Sequence, residues 1–427
     1  MSEGCHSINY HKAVSCKYEA DVVVVGGGIA GVSAACSAAM AGASVILMER
    51  MAVTGGNATS GGVGAFCGET SGQGEVFDQI VSRLERFNAI APYAPYGERE
   101  ARIFDHEILA VVLQEMLLDR KIKLLLHTRF VDAVLTENGR IDACIICGNS
   151  GIEAVRGRQF IDCSGEAVLA HAAGFETMKG RTHDGVQLPM SMMFFVRHIR
   201  KMNERAEVPD GIFEKMENSD DLPMVSVWPN GEGSSAIKIK IPLGDSTNTE
   251  SITESEIRAR RKMMSVLRYY QKVEGRKWKL DHASPLIGIR EGRRVVGEYM
   301  LTVEDLRAGR KFDDAIARGV FYLDGHSPDD DKRTYILALD QMKVPPYQIP
   351  LRCLMVKNAR NLMVAGRCMS ADQLALSSAR VMTTCSMMGQ AAGIAAVLAV
   401  KKDCAIRDLD YAEIRKTVCG LGAKLDV

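Results

Sequence analysis

The chain of 427 residues carries no excess of either charge: Lys plus Arg and Asp plus Glu each number 53. A nucleic-acid binder shows a basic surplus or a basic face, and the totals contain none, so no nucleic-acid partner is expected. The start, MSEGCHSINYHK, lacks the apolar segment of a secretory leader. The twelve cysteines lack the regular spacing of a disulfide framework, which predicts reduced thiols and a cytoplasmic location. Internal repeats and low-complexity tracts are missing too. One stretch is long enough to cross a bilayer, Val381 to Val400, but Gln390, the Thr383-Thr384 pair and Ser386 interrupt it and small residues dominate. A buried helix is expected there, not membrane insertion.

What is present begins with Asp21 to Arg50, DVVVVGGGIAGVSAACSAAMAGASVILMER. An apolar run, Val22 to Val25, enters Gly26-Gly27-Gly28-Ile29-Ala30-Gly31; a small-residue helix follows, and a second apolar run ends on Glu49. Strand, tight turn, helix, strand and acid stand in the order of a dinucleotide site. Gly26 permits the turn, Gly28 lets backbone approach a pyrophosphate, and Gly31 lets helix pack on strand. The helix N-terminus offers free N–H groups and a positive dipole end. Glu49 is placed to accept hydrogen bonds from a ribose diol, and an acid there disfavours the 2′-phosphate of NADP.

The length suits two domains. A Gly-rich loop runs from Thr54 to Phe66, followed by a polar, helical region to about Arg102. Asp105 is a candidate cap for a helix whose apolar positions, Ile108 to Leu117, recur at helical spacing. Lys123 to His127 reads as a strand, Phe130 to Thr136 and Ile141 to Cys147 as a hairpin, and Ala154 to Ile161 as a further strand ending in Asp162-Cys163-Ser164-Gly165. From about Gly174 to Val344 charge increases; after Tyr347 apolar strand and small-residue helix return. Cys144-Ile145-Ile146-Cys147 spells C-x-x-C, but residues three apart on a strand face opposite sides, and no metal-ligand partner has the usual spacing. Neither a redox dithiol nor a metal site is expected.

Five stretches, GGGIAG, GGNATSGG, FIDCSGEAVLA, REGRRVVGEYMLT and NLMVAGRCMSADQLALSSARVMTTCSMMGQAAG, are spread along nearly the whole chain. With them it resembles a bacterial FAD-dependent oxidoreductase, of the branch related to fumarate reductase and succinate dehydrogenase flavoproteins. The resemblance implies an α/β fold: a Rossmann-like FAD-binding domain with a doubly wound parallel sheet (residues 1–170 and 346–427), interrupted by an α+β substrate or cap domain (171–345). It implies non-covalent FAD, without a tether at Cys67. Gly55, Gly56, Asn57, Ala58, Thr59, Gly61 and Gly62 would wrap the pyrophosphate and the isoalloxazine edge, with Arg50 near the adenosine. Val131 would pair its backbone with the adenine, and Cys163, Ser164 and Gly165 would close that side. Gly366-Arg367 replaces the Gly-Asp pair of flavin monooxygenases, which lowers a hydroxylase reading. Ser378 to Met382, including Arg380 and Val381, would present a helix N-terminus to the ring's N1–C2=O edge.

For catalysis the resemblance points to Arg290, His326 and Tyr347. An arginine binds a carboxylate and stays charged as hydride moves; histidine suits proton transfer near neutral pH; the tyrosine hydroxyl would orient a substrate oxygen. Arg293, Arg294 and His183 are weaker candidates, and Arg290, Arg293 and Arg294 alternatively form an ion-pair net with Glu291 and Glu298. Asp372-Gln373 replaces a Thr-His pair of many relatives. The expected activity is hydride transfer between flavin N5 and a carbon of a small polar substrate, as dehydrogenation or C=C reduction. A single dinucleotide fingerprint implies a transient second electron donor or acceptor. An electron-transfer subunit, a flavin-dependent RNA-modifying protein and a non-catalytic scaffold stay open as alternatives, as does a homo-oligomer.

Overall fold

The computed structural model describes residues 8–92 and 101–427. Readings of the first seven residues and of part of the polar stretch before Arg102 lie outside the described residues. The four valines of β1 (Cys16–Val25) form the centre of the fold. They are buried on both faces: Val22 and Val24 join one apolar cluster, Val23 and Val25 another. A strand covered on both sides loses the polar alternation of a half-exposed one. β1 pairs in parallel with β2 (Val45–Met48) on one side and with Gly151–Asp162 on the other. Lys123–Leu125 extends the sheet beyond β2, and the hairpin Arg129–Leu135 with Ile141–Gly148 extends it antiparallel beyond Gly151–Asp162.

The last residues of Gly151–Asp162 also pair in parallel with Leu362–Val364. Chain segments about 200 residues apart in sequence thus share one sheet. The helix Met382–Lys402 then packs on α1 (Ile29–Met40) backbone to backbone. A Cβ at Gly389 would lie 2.1 Å from the Ala30 carbonyl oxygen, and one at Gly393 2.3 Å from that of Ala34. Small residues are therefore required along this seam. Met382–Lys402 is the one helix among the described residues long and apolar enough to cross a membrane, and 94% of its apolar window is buried inside the protein.

A four-stranded antiparallel sheet stands apart, in the order Val225–Pro229, Ser234–Ile241, Met190–His198, Trp278–Ala283. Ile237, Ile239 and Ile241 face the helix Thr249–Lys272 in a core of their own. The inserted unit is smaller than the boundaries 171–345 predict. Leu301, Val303, Leu306, Phe312 and Ala315–Ala317 belong to the cluster that holds α1 and Met382–Lys402. The charge of that region, which reads as cap in the sequence, covers apolar positions that return to the nucleotide domain's core.

Candidate flavin cleft and its charged wall

The glycine fingerprint divides into positions the fold needs and one position it leaves free. Gly26 has φ +99°, and a Cβ there would lie 2.7 Å from the Cys163 carbonyl oxygen. A Cβ on Gly31 would lie 1.9 Å from the Gly26 carbonyl oxygen. One on Gly28 would meet nothing within 4 Å: it would stand in the cleft. Gly28 caps α1 with no side-chain hydrogen bond, and the first turn holds no acid. The N–H groups at that end are open to an anion.

Glu49 is buried and braces this turn. Its Oε2 accepts the Gly27 N–H at 2.7 Å and its Oε1 the Met51 N–H at 2.9 Å. A carboxylate has about four lone-pair sites, so two donors leave room for a diol. The second glycine loop is stapled to the first by the Gly55 N–H bonding the Gly27 carbonyl at 2.7 Å.

A cleft with about 920 Å³ of open space, mouth included, runs from Gly26–Ala30 past Gly55–Ala58 to Arg290, Arg380 and Met382. A second, of about 530 Å³, shares Gly26, Glu49, Arg50 and Ser164 with it and ends at Thr128, Arg129 and Phe130. Together they form an elongated groove with a phosphate cradle in the middle. A dinucleotide fits such a groove, and the open position at Gly28 is where a diphosphate would lie.

Of the expected cofactor residues, Gly26, Gly28, Ile29, Ala30, Glu49, Arg50, Gly55, Gly56, Asn57, Ala58, Cys163, Ser164, Gly165, Gly366, Arg367, Arg380 and Met382 line the first cleft. Gly31, Thr59, Gly61, Gly62 and Val381 do not; they shape it from behind. Thr59 donates its hydroxyl to the Thr54 carbonyl at 2.7 Å, and a Cβ on Gly61 would lie 2.7 Å from Asn57 Cα. Val381 is the N-cap of Met382–Lys402, which has neither a side-chain cap nor an acid in its first turn. Val131 lies beside the second cleft rather than on its wall, at a register irregularity between Phe130 and Asp132. Arg367 clasps the Gly165 and Ile289 carbonyls at 3.0 and 2.5 Å and Glu166 at 2.7 Å.

The candidate catalytic residues separate. Arg290 lines the cleft and is held there by the Pro189 carbonyl at 2.8 Å and Ser191 Oγ at 2.6 Å. Burial, with Arg380 nearby, lowers its guanidinium to about 10, still charged at neutral pH. His326 is buried behind the wall: Nδ1 meets the Thr334 carbonyl at 3.1 Å and Nε2 meets Asp324 Oδ1 at 3.2 Å. Asp324 also bonds Arg380 at 3.1 Å. Despite burial, its carboxyl stays below the usual range because His326, Arg380 and Arg290 surround it. Both ring nitrogens of His326 are thus engaged, so it positions Asp324 and Arg380 rather than reaching into the cleft.

Tyr347 departs furthest from expectation. Its hydroxyl bonds Ser378 Oγ at 2.7 Å inside the core, its side chain is 1% exposed, and it does not line the cleft. The strand Tyr347–Pro350 turns it inward against Gly319, its partner in the antiparallel pair. Arg294 is structural, bonded to the Ala371 and Gly180 carbonyls and paired with Glu291. Arg293 donates to the Thr247 carbonyl at 3.4 Å, and His183 is a surface residue beside Asp184. Asp372 caps the helix Gln373–Ala379, and Gln373 donates to buried Glu291 at 2.7 Å. The pair that replaces Thr-His therefore ties the insert to the nucleotide domain. Ser191, which holds Arg290, and Asp324, which holds Arg380, are not singled out by the sequence. Neither carries a local signal, since each matters through a partner distant in sequence.

Comparison with known proteins agrees with this geometry. The curated digeranylgeranylglycerophospholipid reductase 2 of Methanopyrus kandleri is 31% identical over 175 residues, 38% of this chain and 40% of that protein. The match therefore spans less than half of the relative's length. The solved structure of a geranylgeranyl bacteriochlorophyll reductase-like protein from Thermoplasma acidophilum superposes with a TM-score of 0.50 at 13% identity, covering 96% of this chain and 94% of that one. CabE, an aromatic hydroxylase from angucycline biosynthesis, also gives 0.50, at 16% identity, over 95% of this chain and 68% of its own. At such identities the structural likenesses establish the fold. The family model described as FAD dependent oxidoreductase matches residues 21–418, so the chain belongs to the FAD dependent oxidoreductases and is an enzyme with FAD as its cofactor.

Proposed function

We propose that the protein transfers hydride between the N5 of non-covalently held FAD and a carbon of a small polar organic substrate, by dehydrogenation or by C=C reduction. The observation that carries this reading is Arg290: a guanidinium fixed by Pro189 and Ser191 that opens onto the cleft beside Arg380. When bound, FAD supplies the two-electron chemistry. The chain's own part is to bind, orient and exclude water. Gly28 and the free end of α1 would hold the diphosphate, Glu49 the ribose, and the uncapped N-terminus of Met382–Lys402 the electron-rich edge of the ring. Arg290 would hold a substrate oxygen so that the reacting carbon keeps one position, and dry surroundings would strengthen the attraction between the guanidinium and that oxygen. Asp324, held by His326 and Arg380, keeps the Arg380 guanidinium in place.

The motif set supports kinship with fumarate reductase and succinate dehydrogenase flavoproteins. The second electron partner would be transient. Reduced thiols throughout the described residues support a cytoplasmic location. The test is anaerobic reduction of the purified protein's flavin by a panel of metabolites, followed at the flavin absorbance band. A member of the panel should bleach the flavin of the wild type, and Arg290→Ala should slow that step while retaining FAD. Equal single-turnover rates in the two would move the substrate site elsewhere.

A further inference from the structure

Three stretches far apart in sequence, SGEA, GDST and REGRR, meet at one buried carboxylate, Glu166. Its Oε1 accepts from Arg367 at 2.7 Å, and its Oε2 accepts the Ser246 hydroxyl at 2.9 Å. Backbone of the third stretch closes over it: a Cβ on Gly292 would lie 2.0 Å from Oε2. Glu166 lines the second cleft and Arg367 the first, so this ion pair joins the walls of the two.

Arg367 is fixed on every nitrogen. Nε donates to the Gly165 carbonyl, Nη1 to the Ile289 carbonyl and Nη2 to Glu166. Gly165 and Ile289 themselves line the first cleft. One guanidinium therefore ties two segments of the cleft wall together, and Glu166 is the carboxylate it pairs with. A carboxylate this deep keeps its charge only with donors at hand. Burial pushes the Glu166 carboxyl up, while Arg367 and then the Ser246 hydroxyl draw it back.

Ser246 comes from the inserted unit. It sits between the strand Ser234–Ile241 and the helix Thr249–Lys272, and it lines neither cleft. Its own N–H is held by Gln187 Oε1 at 3.0 Å, and the neighbouring Thr247 N–H by Asp245 Oδ1 at 2.8 Å. A hydroxyl has one proton to donate. Of the two acceptors in reach, Glu166 is closer than the Glu291 carbonyl at 3.3 Å.

We propose that Ser246 is a positioning residue for FAD. Through Glu166 it keeps Arg367 preorganised, so that the inserted loop and the bound cofactor hold each other in place. The inference concerns the cofactor and stands apart from the Arg290 reading, whichever substrate the protein takes. Coupling between two sites is reciprocal: the factor by which the docked loop tightens FAD is the factor by which FAD holds the loop docked. A residue that touches neither ligand shifts such a coupling by about twofold to thirtyfold in affinity.

The experiment compares wild type, Ser246→Ala and Ser246→Thr, each flavin-free and FAD-loaded. FAD affinity is read by fluorescence quenching. The loop is read by hydrogen–deuterium exchange of peptides covering Gly244–Asn248, with peptides covering Gly26–Ile29 as the control at the cofactor. In the wild type FAD should slow exchange in both. Ser246→Ala should weaken FAD by about twofold to thirtyfold. At saturating FAD its Gly26–Ile29 peptides should still be protected, while its loop should exchange as in the flavin-free protein. Ser246→Thr, which keeps the hydroxyl, should restore both readings. Ser246→Val, the size of threonine without the hydroxyl, should behave as Ser246→Ala. A merely structural hydroxyl would change the stability of the flavin-free protein and leave FAD affinity and FAD-dependent protection as they are. That result overturns the inference. So does wild-type protection confined to Gly26–Ile29, loop protection that persists in Ser246→Ala or Ser246→Val, or FAD binding in either variant as tight as in the wild type or tighter.

Discussion

Two alanine substitutions opposite in effect, though only three residues apart in the chain, test the cradle most directly. Gly28 has φ −64° and ψ 177°, an extended backbone open to any residue, and its Cβ would meet no protein atom. Gly28→Ala should leave the flavin-free protein as stable as the wild type, or stabilise it by about 0.4–1 kcal/mol through loss of unfolded-state entropy. The new methyl would occupy the space of the diphosphate and push it off the N–H groups of α1. One or two charge-assisted hydrogen bonds at about 1.5–3 kcal/mol each correspond to FAD binding weakened by about tenfold to about ten-thousandfold.

Gly31→Ala acts in the opposite way. Its Cβ would stand 1.9 Å from the Gly26 carbonyl oxygen and 3.2 Å from Cys163 Cβ, so α1 must move off the sheet. Overpacking of this kind costs about 1–3 kcal/mol or more, and the flavin-free protein should unfold at lower urea. Urea denaturation of stripped protein gives the first quantity, and quenching of FAD fluorescence on titration gives the second. The reasoning is refuted if Gly28→Ala lowers flavin-free stability as much as Gly31→Ala does, or if Gly28→Ala binds FAD like the wild type.

Arg294→Met should destabilise the protein by about 3–5 kcal/mol, because it leaves fully buried Glu291 without its cation; urea midpoints of the two proteins check this. Gln390→Ala should cost about 1–3 kcal/mol, measured the same way, since its side chain accepts the buried Val76 N–H and a buried donor left unsatisfied costs about that much, while the Leu421 carbonyl keeps the Glu75 N–H. Under native conditions iodoacetamide should modify exposed Cys147 and spare buried Cys144, whose thiol burial drives well above its ordinary value; peptide mapping that finds both labelled at one rate would contradict the strand assignment.

The nucleotide half of this protein was legible in its sequence because its constraints are local. A turn with positive φ, a helix that must approach a strand, and an apolar run buried on both faces each select residue types within a few positions. So Val22–Val25, Gly26, Gly31 and Glu49 could be read in order, and the small residues of Val381–Val400 could be read as a buried helix. Only the tertiary structure decided the charged wall of the cleft. Tyr347 reads as an available hydroxyl until the strand turns it inward onto Ser378. His326 reads as a proton carrier until Thr334 and Asp324 take both nitrogens. Alternation along a strand divides its residues between two faces, but it does not say whether the second face meets water or another domain. That depends on packing between segments far apart in the chain, which leaves no periodic mark in either one.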